Sequence, residues 1–127
     1  MCTSLEFTVE GDRILPLDTN EGKKTLYRIY NEISKELFGF GTTLLNVTID
    51  NTMITFVAKH RRSPRSTALE GEIPNLKYEV DFYMSSIYKK KLKERLDEDL
   101  GLDMEAVLRD YDPLTQWAIT NIIIREP

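Results

Sequence analysis

The stretch from Asn75 to Leu100 constrains the fold most. Leu76, Val80, Tyr83, Met84, Ile87, Tyr88, Leu92 and Leu96 recur at spacings of three and four, which predicts a single apolar face on an α-helix. At ~1.5 Å per residue this rod is roughly 37 Å long, enough to cross a small sheet from edge to edge. A helix of that length with one apolar face needs a surface to cover. The rest of the chain reads as strands that supply one, together with a shorter helix.

Taken in order, residues 5–17 hold two short β-prone pieces around Glu10-Gly11-Asp12, where Gly11 can take the positive φ of a hairpin turn. Residues 1–20 are read as an N-terminal extension carrying this hairpin, and 21–127 as one domain. Asp18-Thr19-Asn20 offers N-cap oxygens. Leu26, Ile29, Tyr30, Ile33 and Leu37 then mark one face of the first helix, and Gly39 is its expected left-handed stop. From Thr42 to Asp50 the residues Leu45, Val47 and Ile49 alternate with Leu44, Asn46 and Thr48. From Thr52 to Lys59, Ile54, Phe56 and Ala58 alternate with Met53, Thr55 and Val57. A tight turn at Asp50-Asn51 makes these two runs a hairpin. Residues 60–74 break the pattern as an irregular connection, in which Ser63-Pro64 can start a short helical turn. The long helix follows Pro74 and stops at Gly101. Met104 to Asp110 and Gln116 to Arg125 form the last hairpin around the turn Asp112-Pro113-Leu114-Thr115. The expected fold class is α+β with the order α-β-β-α-β-β. It is a mostly antiparallel four-stranded sheet with both helices on one face.

A net charge of −4 argues against a general polyanion binder, so nucleic acid is not an expected partner. Cys2 is the only cysteine, which rules out an intrachain disulfide and agrees with a reducing, cytoplasmic setting. No apolar run reaches the ~20 residues of a membrane span, and the first residues do not read as a signal peptide. One histidine and one terminal cysteine do not make a metal shell, and no cofactor motif is present, so neither a metal nor a cofactor is expected.

Three clusters invite a chemical reading. Lys59, His60, Arg61, Arg62 and Arg65 gather cations at a strand end, as an anion or partner site would. The competing reading is a solvated loop that protects a strand edge. Lys89, Lys90, Lys91, Lys93 and Arg95 suit a membrane or an acidic subunit, against a solvated helix face balanced by Glu94, Asp97, Glu98 and Asp99. Asp103, Asp110 and Asp112 suit acid–base work or a hard cation, against local turn bonding. Leu44, Met53, Val57, Ile122 and Ile124 lack cover from helices on a single face, which predicts a homodimer interface.

Several stretches carry a family likeness. Ile33 to Gly41 is similar to a helix ending in aromatic, glycine, any residue, glycine. Val47 to Ile54 resembles a first hairpin, Ser63-Pro64 the Ser-Pro or Thr-Pro that follows it, and Val107 to Pro113 an Asp-rich closing hairpin. On these residues, 26–125 resemble the MpsC-like (YbcI-like) family, first catalogued as a domain of unknown function and linked to a sodium-translocating, membrane-potential-generating system. Phe40 stands where that family commonly has arginine, and Thr67 to Pro74 departs from its charged helix start. The resemblance implies a non-enzymatic cytoplasmic accessory protein, peripheral to a membrane ion or inorganic-carbon transport system, with a membrane-protein subunit as a partner. It carries no catalytic residues. The alternative expectation is a sensor for a small anion, nucleotide or RNA that uses residues 59–65.

Overall fold

The computed structural model describes residues 6–9, 13–16, 19–50, 52–61 and 63–125. Strands β1 (Glu6–Val9) and β2 (Arg13–Pro16) form a separate antiparallel pair. The main domain runs α1 (Asn20–Phe38), β3 (Leu44–Asp50), β4 (Met53–Lys59), α2 (Pro64–Glu72), α3 (Pro74–Leu100), β5 (Met104–Tyr111) and β6 (Trp117–Ile124). Its sheet has the order β3-β4-β6-β5, antiparallel throughout, so the α+β architecture with a four-stranded sheet is as expected. The turn residues Glu10 to Asp12 and Asn51, and the thiol of Cys2, lie outside the described residues.

Local chemistry sets the helix ends. Thr19 caps α1 by accepting the Gly22 N–H at 3.0 Å, and Gly39 closes it at φ 88°, a left-handed conformation that a side chain would strain. The segment 60–74 differs from the irregular connection expected, because Ser63 accepts the Ser66 N–H and Pro64 fits the first turn, giving the nine-residue α2. Pro74 has no N–H to continue that ladder, so it begins α3 instead.

One face of the sheet carries the core. Leu26, Ile29, Tyr30 and Ile33 of α1 and Tyr88, Leu92, Leu96 and Leu100 of α3 close over Val47, Ile54, Phe56, Ala58 and Ile122. Arg95 reaches Glu32 at 2.7 Å and Lys91 reaches Glu36 at 2.8 Å, so two cations of the basic run stitch α3 to α1. The Arg95 hydrogen bond, aided by Arg28, holds the Glu32 carboxyl below its usual range.

Two expectations are corrected. In α3, Leu76, Tyr83 and Ile87 are exposed, while Lys77 is buried beside Asp81. The inward stripe is therefore rotated, and over its first half it mixes Lys77 and Asp81 with Val80 and Met84. In β6, Ile122 is fully buried and Ile124 packs against the core, so neither belongs to an open interface. The run Ile122-Ile123-Ile124 is apolar on both faces and hides the alternation. The register Phe56↔Thr120 and Ile54↔Ile122 resolves it by placing Thr120 and Ile122 on the helix side. Leu44, Met53 and Val57 do lie on the opposite face, joined there by Ile119 and Leu108.

This parity makes a direct test. Ile122→Ala should cost about 2–5 kcal/mol of unfolding free energy, whereas Ile119→Ala should stay within about 1 kcal/mol. Urea denaturation of both variants measures this. Equal losses would place the two side chains in equivalent environments and refute the face assignment.

Candidate functional site

The end of β4, the middle of β5 and the facing turns of α1 and α3 converge on a buried polar cluster. β5 runs inward at Val107, Arg109 and Tyr111, which brings an arginine under the helices. Its Nη1 donates to Tyr30 Oη at 2.8 Å and to Thr120 Oγ1 at 3.0 Å, and Nη2 donates to His60 Nε2 at 3.2 Å. Cζ sits 4.0 Å from the centroid of the Tyr88 ring, a half-buried cation–π contact. Tyr30 Oη lies 3.0 Å from His60 Nε2. With Arg109 donating to both, the consistent arrangement is a Tyr30 hydroxyl that donates to Nε2 of a neutral imidazole protonated on Nδ1.

The cluster extends upward through Tyr88. Its hydroxyl donates to the Tyr30 carbonyl at 2.7 Å, which leaves Ser34 Oγ, also at 2.7 Å, as donor to Tyr88. Burial pushes the Tyr88 phenol far above its ordinary range, so it is a fixed neutral donor. Burial and then the Arg109 charge push His60 down to about 3. The backbone places His60 as well: its N–H donates to the Gln116 carbonyl at 2.9 Å. Gln116 holds a positive φ of 63°, uncommon for a residue other than glycine, and its own side chain ties back to Pro113 O at 2.8 Å.

Beside this cluster is a cavity of about 590 Å³. Its walls are the end of α1 with the following turn (Leu37, Phe38, Phe40), α2 (Arg65, Leu69), the first half of α3 (Val80, Asp81, Met84) and the cluster itself (His60, Arg109). Gly41 helps to set the turn. A Cβ there would stand 3.1 Å from Asn31 Oδ1, the atom that accepts both Thr42 N–H and Thr42 Oγ1–H.

Of the cations anticipated, His60, Arg61 and Arg65 line this cavity. Arg61 is exposed, with its guanidinium 5.7 Å from the Phe40 ring. Lys59 is not part of the group; it lies on the other sheet face with Nζ 5.8 Å from the Trp117 ring. Arg62 lies outside the described residues. His60 is not a loop cation but a neutral core residue. The acidic trio does not assemble. Asp112 accepts from Leu114 N–H and Thr115 Oγ1 within its own turn, Asp103 pairs with Arg125 at 3.2 Å, and Asp110 is exposed. Arg109, Tyr30, Tyr88, Ser34 and Thr120 were not anticipated as a site. The available signal was Arg109 itself, an arginine at an inward position of its strand.

Among the described residues, no group of three His, Cys, Asp or Glu side chains has the arrangement of a metal site. Among them too, no helix is long and apolar enough to cross a membrane. Comparison with protein-family models, with curated proteins and with solved structures gives no match.

The buried imidazole predicts an acid limb of stability. The unfolded chain titrates near 6.5 and the folded one at about 3, so between these values the unfolded state holds the extra proton. Stability from this group is full above about pH 6.5 and falls as pH drops toward 3, with a slope approaching ~1.4 kcal/mol per pH unit. NMR of the single histidine checks it directly. Its ring resonances should remain those of neutral imidazole at pH 5, and a midpoint near 6.5 in the folded protein would contradict the buried network.

Proposed function

We propose that the protein is a non-enzymatic binding module that takes a small organic anion into the cavity between α1, α2 and α3. The observation that carries this reading is Arg109. It lines the cavity, and among the described residues no carboxylate lies within ion-pair distance of it. Asp81 lines the same cavity but is joined to Lys77. Arg109 is half-buried and its protein acceptors are all neutral, so its positive charge has no counter-ion from the described residues. Such an arrangement makes sense where an incoming ligand supplies the negative charge. The apolar walls and the volume suit a small molecule rather than a bare inorganic ion, since cavities of several hundred cubic ångströms typically hold ligands with a sizeable apolar body.

The accessory role implied by the MpsC-like resemblance adds a second requirement, a protein contact. The outer sheet face supports this second reading. Val57 stands directly opposite Ile119 across β4 and β6, with Met53 opposite Ile123, and Leu44 and Leu108 are 57% exposed beyond them. A two-fold pair of chains joined through this face would cover these side chains. On this reading the protein works as a homodimer that reports the ligand to a membrane-system subunit.

The experiment is a thermal-shift and calorimetric screen of small organic acids on the full chain, with Met84→Trp as the cavity-blocked control. A ligand at a hundred times its Kd should add about 2.7 kcal/mol to wild-type stability and nothing to the blocked variant. Equal shifts in both proteins would move binding away from the cavity. Light scattering of Ile119→Lys tests the second reading: a wild-type dimer that becomes a monomer supports it, and a wild-type monomer at high concentration ends it.

A further inference from the structure

We infer that the solvent face of α3 receives a second copy of this chain, with the two α3 helices paired antiparallel about a two-fold axis between Met84 and Ser85. This surface is on the helix side of the domain, opposite the outer sheet face, and it does not rest on the cavity-binding reading.

The first half of α3 exposes Leu76, Phe82, Tyr83 and Ile87. Phe82 and Tyr83 are 66% and 63% exposed, and their rings meet edge-on with centroids 5.4 Å apart. An apolar group of this kind on a helix marks a contact surface. The other helices do not cover it. α1 is joined to α3 on another side, through Lys91 and Arg95, and α2 bounds the cavity beside Val80 and Met84.

The charges around the patch say what covers it. Glu79 and Lys90 are exposed, and among the described residues neither has an ion-pair partner. They stand eleven residues apart, which is three turns and about 20°, so they lie on one line of the helix. Phe82, Tyr83, Ser86 and Ile87 fall between them. A second α3 laid antiparallel across this line sets Glu79 against Lys90 of the second copy, Phe82 against its Ile87, and Tyr83 against its Ser86. The two-fold makes each contact twice. Large side chains thus meet smaller ones, and each free charge meets its opposite. Ser86 Oγ already donates to the Phe82 carbonyl at 3.1 Å, so closing over it leaves no hydroxyl unmet. At the ends, Leu76 receives the aliphatic stem of Lys93.

An anionic membrane fits this face less well. Lys89, Lys90 and Lys93 would favour it, but Glu79 on one side and Glu94 and Asp97 on the other are exposed along the same helix. A flat negative surface would meet acids at both ends of the basic group. An antiparallel copy of the helix matches sign with sign. The opposite side of the same turns, Val80, Asp81 and Met84, lines the cavity, so the pairing sets two cavities back to back.

Sedimentation equilibrium and light scattering of the full chain over a dilution series test the pairing. A contact of one helix per chain is at the small end of specific interfaces, so association in the micromolar range is expected. Glu79→Lys and Lys90→Glu each set like charges opposite one another twice. Each alone should raise the dissociation constant at least tenfold, and the double reversal Glu79→Lys/Lys90→Glu should restore it. A second readout is Glu79→Cys/Lys90→Cys in a Cys2→Ser background, which should oxidise to a covalent dimer. Within one chain those two positions are about 16 Å apart along the helix, beyond the reach of a disulfide. Single reversals that leave association unchanged, with association lost in Ile119→Lys, would overturn the pairing and assign the contact to the outer sheet face. A wild type that stays monomeric at millimolar concentration would overturn it as well. Monomeric wild type that binds phosphatidylserine vesicles, with binding lost in Lys90→Glu, would overturn it in favour of a lipid surface.

Discussion

A half-buried arginine held under two helices is the constraint on which the rest of this domain depends. Arg109 enters from β5 at an inward position, among side chains that elsewhere are isoleucine, valine and phenylalanine. Such a group is tolerated only if its donors find acceptors and its surroundings are arranged to hold them. Each element contributes one: α1 gives Tyr30, β6 gives Thr120, the end of β4 gives His60, and α3 gives the face of the Tyr88 ring. The relative placement of these four elements is thus specified by one guanidinium as well as by apolar contact. Apolar packing alone permits neighbouring rotamers and small shifts, whereas hydrogen bonds of this kind do not.

The same constraint explains the cavity. In its second half α3 presents Tyr88, Leu92, Leu96 and Leu100 to the core and closes on α1, with Arg95 and Lys91 reaching across the seam. In its first half the inward stripe contains Lys77 and Asp81, with Val80 and Met84 only half-buried. A helix that is apolar for part of its inward face and mixed for the rest cannot seal a sheet along its whole length. α2 covers part of the difference. It has no buried residue of its own, so it bounds a space without filling it. The opening and the unpaired cation therefore occur together at the same end of the domain.

Much of the fold could be read from the residues. Alternation in β3 and β4 gave the inner face correctly because Leu45, Val47, Ile49, Ile54, Phe56 and Ala58 share one parity and Thr48 and Thr55 the other. Thr19, Gly39, Pro74 and Gly101 mark helix ends by local chemistry that needs no tertiary context. The failures have physical causes. Ile122-Ile123-Ile124 is apolar at both parities, so only pairing with β4 decides which side is inside. Along α3, Leu76, Tyr83 and Ile87 extend the apolar pattern on a face that remains exposed, while the buried lysine reads as surface. The site was half visible. Cations near His60 stand out because they are adjacent in sequence, yet the centre of the cluster is Arg109, 49 residues from His60. Lys59 sits next to His60 in the chain and on the opposite side of the sheet, which shows how little adjacency counts in a strand.

The protonation states in the cluster support one another. Burial first, and then the Arg109 charge, keep the proton off His60, and the neutral ring can then serve Arg109 as an acceptor. A neutral imidazole accepting at Nε2 in turn orients the Tyr30 hydroxyl as a donor to it, which leaves the tyrosine oxygen free to accept from Nη1. Tyr88 cannot ionise to neutralise the arginine, because burial holds its phenol protonated and its proton is engaged by the Tyr30 carbonyl. Near neutral pH the cluster is thus held at one net positive charge, with neither neighbour able to compensate it. That distinguishes it from a structural ion pair, in which a carboxylate would complete the charge from within. The protein has carboxylates to spare, and Asp81 lines the same cavity, but it is assigned to Lys77. Neither Tyr88 nor Asp81 therefore supplies a counter-charge to Arg109, and neutral acceptors alone hold it in place.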